Sequence, residues 1–290
     1  MNKVKSIIER YLNNIFNKLN EKKIQNHRLI FYINSGRSGS QYLAELLGTA
    51  KEVVSFHEPA PPMTGDFLTL ANTLDYNNNK SKRIRRIKSY TIKNYLRNLP
   101  ENKVYCETNH MFIKTFFDVI CEDFKQVNVI ILRRYLPSVL KSFVELGYFS
   151  DRHPNWHLWM SRPDAVTSAI PCLNYQELDQ YDRCIAYLID IEARAIRFQQ
   201  EYPSIITSEV RLESLNNYQN VLELFETLSI TPTQATETIY TEKINQRSNL
   251  KIMGKENTVS LADCEERINN YIDIAIAQGV KVPHSLALKA

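Results

Sequence analysis

Arg37 stands in a run of small residues, Asn34-Ser35-Gly36-Arg37-Ser38-Gly39-Ser40, followed by Gln41. Residues of these types are suited to holding an oxyanion. Glycines let the backbone approach the anion, free amides at a helix start point at it, serine hydroxyls donate, and an arginine neutralises. A second constellation is Arg133-Arg134 with Ser142, eight residues after Arg134. Two further groups could move protons. His57-Glu58-Pro59 is one, and Glu107-Thr108-Asn109-His110 is the other.

The elements that must position these groups are legible from apolar patterning. The run 29–33 reads as a buried strand, and Tyr42, Leu43, Leu46 and Leu47 mark a helix over 39–48. The β-branched run Val127 to Leu132 reads as another buried strand, with Pro137 in the first turn of a helix over 138–146. Further strands are read at 52–57, 102–106 and 204–210, and helices at 111–122, 178–200 and 218–228. Strands alternating with helices predict an α/β fold, a central parallel sheet flanked by helices in three layers. Ligands of such sheets lie at the carboxyl ends of the strands, where both anion-binding runs fall.

The first loop is not a Walker A motif, which requires Gly, four residues and then Gly-Lys-Ser/Thr. Gly36 and Gly39 are three apart and no lysine follows. Arg37-Ser38-Gly39-Ser40-Gln41-Tyr42-Leu43 instead resembles the 5'-phosphosulfate loop of sulfotransferases that use 3'-phosphoadenosine 5'-phosphosulfate (PAPS). That loop has a basic residue, Ser-Gly-Ser/Thr, two residues and an apolar one; many members carry Lys where this chain has Arg. The strand ending in Arg133-Arg134, with Ser142 in the next helix, is similar to the family's 3'-phosphate element. The family usually has Pro two residues after the Arg. Here Tyr135 and Leu136 precede Pro137, so both arginines remain candidates. A third likeness is the strand 204–210 followed by Arg211-Leu212-Glu213-Ser214-Leu215, a structural turn in the family.

The resemblance implies a P-loop-like fold and sulfuryl transfer from PAPS to a hydroxyl of a carbohydrate or glycolipid acceptor, without a metal. It implies cofactor contacts from Gly36, Arg37, Ser38, Gly39, Ser40, Gln41, Arg133 or Arg134, and Ser142. Arg247, in a late polar stretch, matches the family's closing basic loop in place, though its Arg-Lys-Gly signature is absent. Arg37 is the cation for the transferring group. Glu58 is the first candidate base, by its place at the end of the second strand; His57 is the neighbouring alternative and His110 the third. Strand alternation predicts that only one of His57 and Glu58 faces the site. Glu107, Trp156 and Trp159 are candidates for the acceptor, the tryptophans as stacking surfaces. A nucleotide-dependent kinase and a non-catalytic nucleotide-binding protein on the same fold are the alternative readings.

The chain of 290 residues, 43% hydrophobic, can bury a sizeable core, and no Gly/Ser/Pro-rich linker divides it. We expect an amphipathic helix over 1–25 and one domain over 26–290, with insertions at about 65–99 and 147–175. The helix could pack on the domain, on a second copy or on an anionic membrane surface. A net charge of +4 suits an anionic cofactor and does not demand nucleic acid. The basic run from Lys80 to Arg97 reads as a solvated helix face or as a groove for an acidic acceptor. Five scattered cysteines argue against a disulfide framework or a zinc site, and no apolar span of about 18 residues is present. A cytoplasmic enzyme is the expectation; oligomeric state is not readable.

Overall fold

The structure, a computed structural model, describes residues 21–241 and 259–289. Most of the expected N-terminal helix and the late basic stretch with Arg247 lie outside the described residues; residues 21–26 are helical. The chain then runs β1 (Leu29–Ile33), α1 (Ser40–Gly48), β2 (Val53–His57), α2 (Asp66–Thr73), α3 (Asn79–Arg85) and α4 (Ile87–Leu96). Next come β3 (Val104–Thr108), a π-helical turn (Phe112–Phe116), α5 (Phe117–Asp123), β4 (Val127–Arg133) and α6 (Leu136–Glu145). An irregular segment leads to α7 (Gln180–Glu201), β5 (Ile206–Arg211), α8 (Tyr218–Thr227), α9 (Gln234–Thr241) and α10 (Leu261–Ala277).

The strands form one parallel sheet in the order β2-β3-β1-β4-β5. Helices cover both faces, so the central strands are apolar on both sides. Leu29, Phe31 and Ile33 enter one core with Val127, Val129 and Ile131. Ile30 and Tyr32 enter the other with Ile130 and Leu132. The first core is closed by α5, α6, α7 and α10, the second by α1 and α8. This is the expected three-layer α/β, P-loop-like architecture.

The strand order fixes where a ligand can sit. From β1 the chain leaves through α1 towards the β2 edge, and from β4 it leaves towards the β5 edge. Connections that part in this way open a crevice beyond the carboxyl ends of β1 and β4. No helix among the described residues is long and apolar enough to cross a membrane.

The basic run divides: Lys80, Arg83 and Arg97 are exposed, as a solvated face requires, while its inner members are buried or paired. Arg85 is fully buried, 2.5 Å from Asp118, and Lys88 is buried 2.8 Å from Glu107. Lys82 and Arg86 pair with Glu122, and Arg86 also with Asp123. The run ties α3 and α4 to α5 and β3, because a charge at these packed positions requires a partner.

Candidate active site

One cavity of about 1140 Å³ opens at the crevice. The loop after β1 forms its floor. Arg134 and the turn after β5 lie on one side, and His57, Glu58 and His110, after β2 and β3, on the other.

The loop is shaped by backbone that only particular residues tolerate. Gly36 and Gly39 have φ of 85° and 87°, and Arg37 itself sits at 55°. At Gly39 the positive φ disfavours any side chain, and an added Cβ would lie 2.6 Å from Leu212 Cδ1, forcing that leucine to shift. Asn34 Oδ1 accepts from the Gly36 amide at 2.8 Å, holding the turn. Gly39 precedes α1 and supplies no side-chain cap, which leaves first-turn amides for an anion. Ser40 and Gln41 line the cavity as expected. Ser38 does not reach the large cavity: it is buried, and its hydroxyl bonds the Gly36 carbonyl and the Ser35 hydroxyl. Its role is to hold the loop.

The two arginines separate. Arg133 is the last residue of β4 and shares the face of Val129 and Ile131, which packs on α7. Its guanidinium meets Glu192 at 2.7 Å and Glu209 at 2.7 Å. Arg134 lies past the strand end, lines the cavity, and donates to the Arg37 carbonyl at 2.9 Å. Ser142 lines the cavity too, with Arg37 Nε 3.3 Å from its hydroxyl. Arg37, Arg134 and Ser142 therefore converge, and Arg133 does not join them.

His57 and Glu58 both line the cavity, against the alternation rule. The strand ends at His57, and Glu58 takes a left-handed φ of 49°, which turns its carboxylate back over the strand end. His57 Nδ1 lies 2.9 Å from Thr108 Oγ1. His110 Nε2 lies 3.5 Å from Glu58 Oε1.

Glu107 is misplaced by the sequence reading. β3 runs two residues further than 102–106, to Thr108, so Glu107 lies within the sheet rather than beyond it. It is fully buried, receiving Lys88, the Tyr105 hydroxyl at 2.6 Å and the Asn109 amide at 2.9 Å. Trp156 also turns away from the cavity and packs on Phe149 at 4.4 Å, while Trp159 lines it.

Several cavity groups escaped the sequence reading. Tyr148 stands beside Trp159; burial raises its hydroxyl pKa, partly countered by Arg37, so a neutral phenol faces the site. Glu213, read as purely structural, lines the cavity: Oε1 accepts the Tyr135 amide at 2.8 Å, and Oε2 is buried without a hydrogen-bond partner among the described residues. Leu212, Leu215 and Tyr240 add apolar surface on this side. A buried acceptor beside apolar walls and two arginines is the donor set that a phosphorylated nucleoside fits. Lys114 is the other omission. Its only signal is a single lysine within the otherwise largely apolar Met111 to Phe117.

These features define an α/β protein whose sheet carries, at its switch point, a crevice lined by a glycine-containing loop and two arginines. It is similar to a sulfotransferase domain from the curacin biosynthetic pathway, at 15% identity and a TM-score of 0.48, covering 89% of this chain and 99% of that chain. It is also similar to a sulfotransferase from Mycobacterium tuberculosis, at 13% identity and a TM-score of 0.48, covering 86% and 78%. A sulfotransferase from Alicyclobacillus acidocaldarius matches at 10% identity and a TM-score of 0.48, covering 87% and 94%. No protein-family model and no curated protein matches the chain.

Proposed function

We propose that this protein is a PAPS-dependent sulfotransferase that sulfates a hydroxyl of a carbohydrate or glycolipid acceptor. The observation that carries the reading is the convergence of Arg37, Arg134 and Ser142 in one cavity, with Glu58 on its far side. Sulfuryl transfer is an in-line displacement in which positioning and charge stabilisation do most of the work, as in phosphoryl transfer. Arg37 holds the transferring group and the leaving oxygens. Arg134 and Ser142 hold the 3'-phosphate. Glu58 takes the acceptor proton, and Trp159 offers a face for a sugar ring. The absence of a P-loop lysine speaks against the kinase reading.

The test is calorimetry with 3'-phosphoadenosine 5'-phosphate and with AMP. Each charge-assisted bond to the extra phosphate contributes on the order of 1.5–3 kcal/mol, so the former binds at least about tenfold more tightly. Arg134→Ala removes that preference. Arg133→Ala retains it and lowers the melting temperature instead, since Glu192 and Glu209 lose their partner. Equal affinity of the wild type for the two nucleotides would sink the assignment.

A further inference from the structure

Lys114 has no part in the reading above, yet it touches three elements of the site. It sits on the π-helical turn after β3 with no exposed surface. Its Nζ is 2.7 Å from His110 Nδ1, 2.7 Å from the Trp159 carbonyl and 3.2 Å from the Tyr187 hydroxyl. The Tyr187 hydroxyl in turn donates to the Ser35 carbonyl of the anion loop at 2.9 Å.

An ammonium has three N–H groups and no acceptor. Three acceptors surround Nζ, for the Tyr187 proton is already given to Ser35 and its oxygen is left to accept. His110 Nδ1 then accepts from Lys114, and a neutral imidazole that accepts at Nδ1 carries its proton on Nε2. Nε2 is the atom facing Glu58 Oε1. The opposite arrangement, with the proton on Nδ1, would set a bare nitrogen lone pair against a carboxylate and leave one lysine N–H without an acceptor. Both ends of the chain therefore select one tautomer.

We propose that Lys114 is a positioning residue that fixes His110 as its Nε2–H tautomer, so that His110 turns an N–H toward Glu58, 3.5 Å away, and cannot itself serve as the base. The inference rests on the functional reading for Glu58 and adds a role that the reading does not require. Other charged and titratable groups fit the assignment. His57 and Glu58 face His110 from the end of β2, and Lys114 faces it from its own turn. Burial and Arg194 push the Lys114 pKa well below its ordinary value and Glu58 opposes them, while the three acceptors around Nζ, the Tyr187 hydroxyl of α7 among them, favour the ammonium form. Burial, then the Lys114 charge, then His57, hold the His110 pKa well below the ordinary histidine range, so a second proton is not taken up.

The full-length protein labelled with 15N-histidine tests this without nucleotide or acceptor. His110→Gln assigns the signal. Long-range 1H–15N correlation is expected to show wild-type His110 protonated on Nε2 alone from about pH 8 down through the ordinary titration range near 6.5. In Lys114→Met the fixed tautomer is lost, and the His110 pKa rises from its wild-type position while burial still holds it below the ordinary range. Turnover of this variant falls by about 10- to 100-fold, the scale of lost positioning, with the nucleotide Kd unchanged. A proton on Nδ1 in the wild type overturns the inference even if 3'-phosphoadenosine 5'-phosphate binds. Failure of that nucleotide to bind, with the Nε2–H tautomer present, sinks the functional reading and leaves the Lys114–His110–Glu58 assignment supported. The wild-type spectrum decides the tautomer even if Lys114→Met does not fold.

Discussion

Glu58→Gln lowers turnover by about 10²–10⁴ while nucleotide affinity stays at the wild-type value. The amide keeps the shape of the carboxylate and its oxygen can still face His110, but it cannot take the acceptor proton. The carboxylate is exposed at the cavity wall and held in a left-handed backbone, with no strand pairing of its side chain to disturb. The variant should therefore fold as the wild type does, and the comparison reads chemistry alone. Both His57 and Glu58 line the cavity, so His57→Ala is the necessary control. Near-normal turnover in Glu58→Gln together with its collapse in His57→Ala would transfer the base to the imidazole. Steady-state rates with labelled PAPS, alongside nucleotide calorimetry, separate the two.

Arg37→Ala has the second largest effect, a loss of about 10²–10³ in turnover, the scale of a deleted transition-state donor. Arg37 is half-buried on the loop, and its side chain contacts Ser142 across the crevice. Removing it leaves the sheet and both cores untouched. Alanine shares the strain of a positive φ, so Arg37→Gly is the companion variant: equal losses in the two exclude a backbone cause. Unchanged turnover would mean that Arg134 alone neutralises the transferring group. None of the basic residues of α3 and α4 lines the cavity, and Arg85 and Lys88 are committed to buried partners.

The centre of the sheet was legible because β1 is an uninterrupted apolar run and β4 is apolar over Val129 to Leu132, and because the longer helices carry a 3.6-residue period. The turn after β1 was legible because its backbone takes glycine at two positive-φ positions, Gly36 and Gly39, which leaves a mark in the sequence. The choice between Arg133 and Arg134 was not, since it turns on which residue is the last in β4. A single position decides whether a side chain follows the strand's alternation onto α7 or escapes over its end. The same kind of boundary misplaced Glu107, which two further strand residues carry into the sheet. Alternation failed at Glu58 because a left-handed residue follows the strand, and a non-glycine at positive φ has no reliable signature. Lys88 and Arg85 read as solvated because charge is normally exposed; their carboxylate partners, Glu107 and Asp118, lie 19 and 33 positions away and are invisible to a local reading.

The grip of Lys114 on residue 159 is through the main chain. The ammonium holds the Trp159 carbonyl, an atom common to every amino acid, while the indole that faces the cavity packs against Tyr148 and His153. The segment's anchorage and its chemical character are thus written in different atoms. Under the proposed function, a library randomised at position 159 samples new acceptor preferences with the loop still moored, so retargeting starts there rather than at the loop after β1, where Gly39 holds a strained backbone against Leu212.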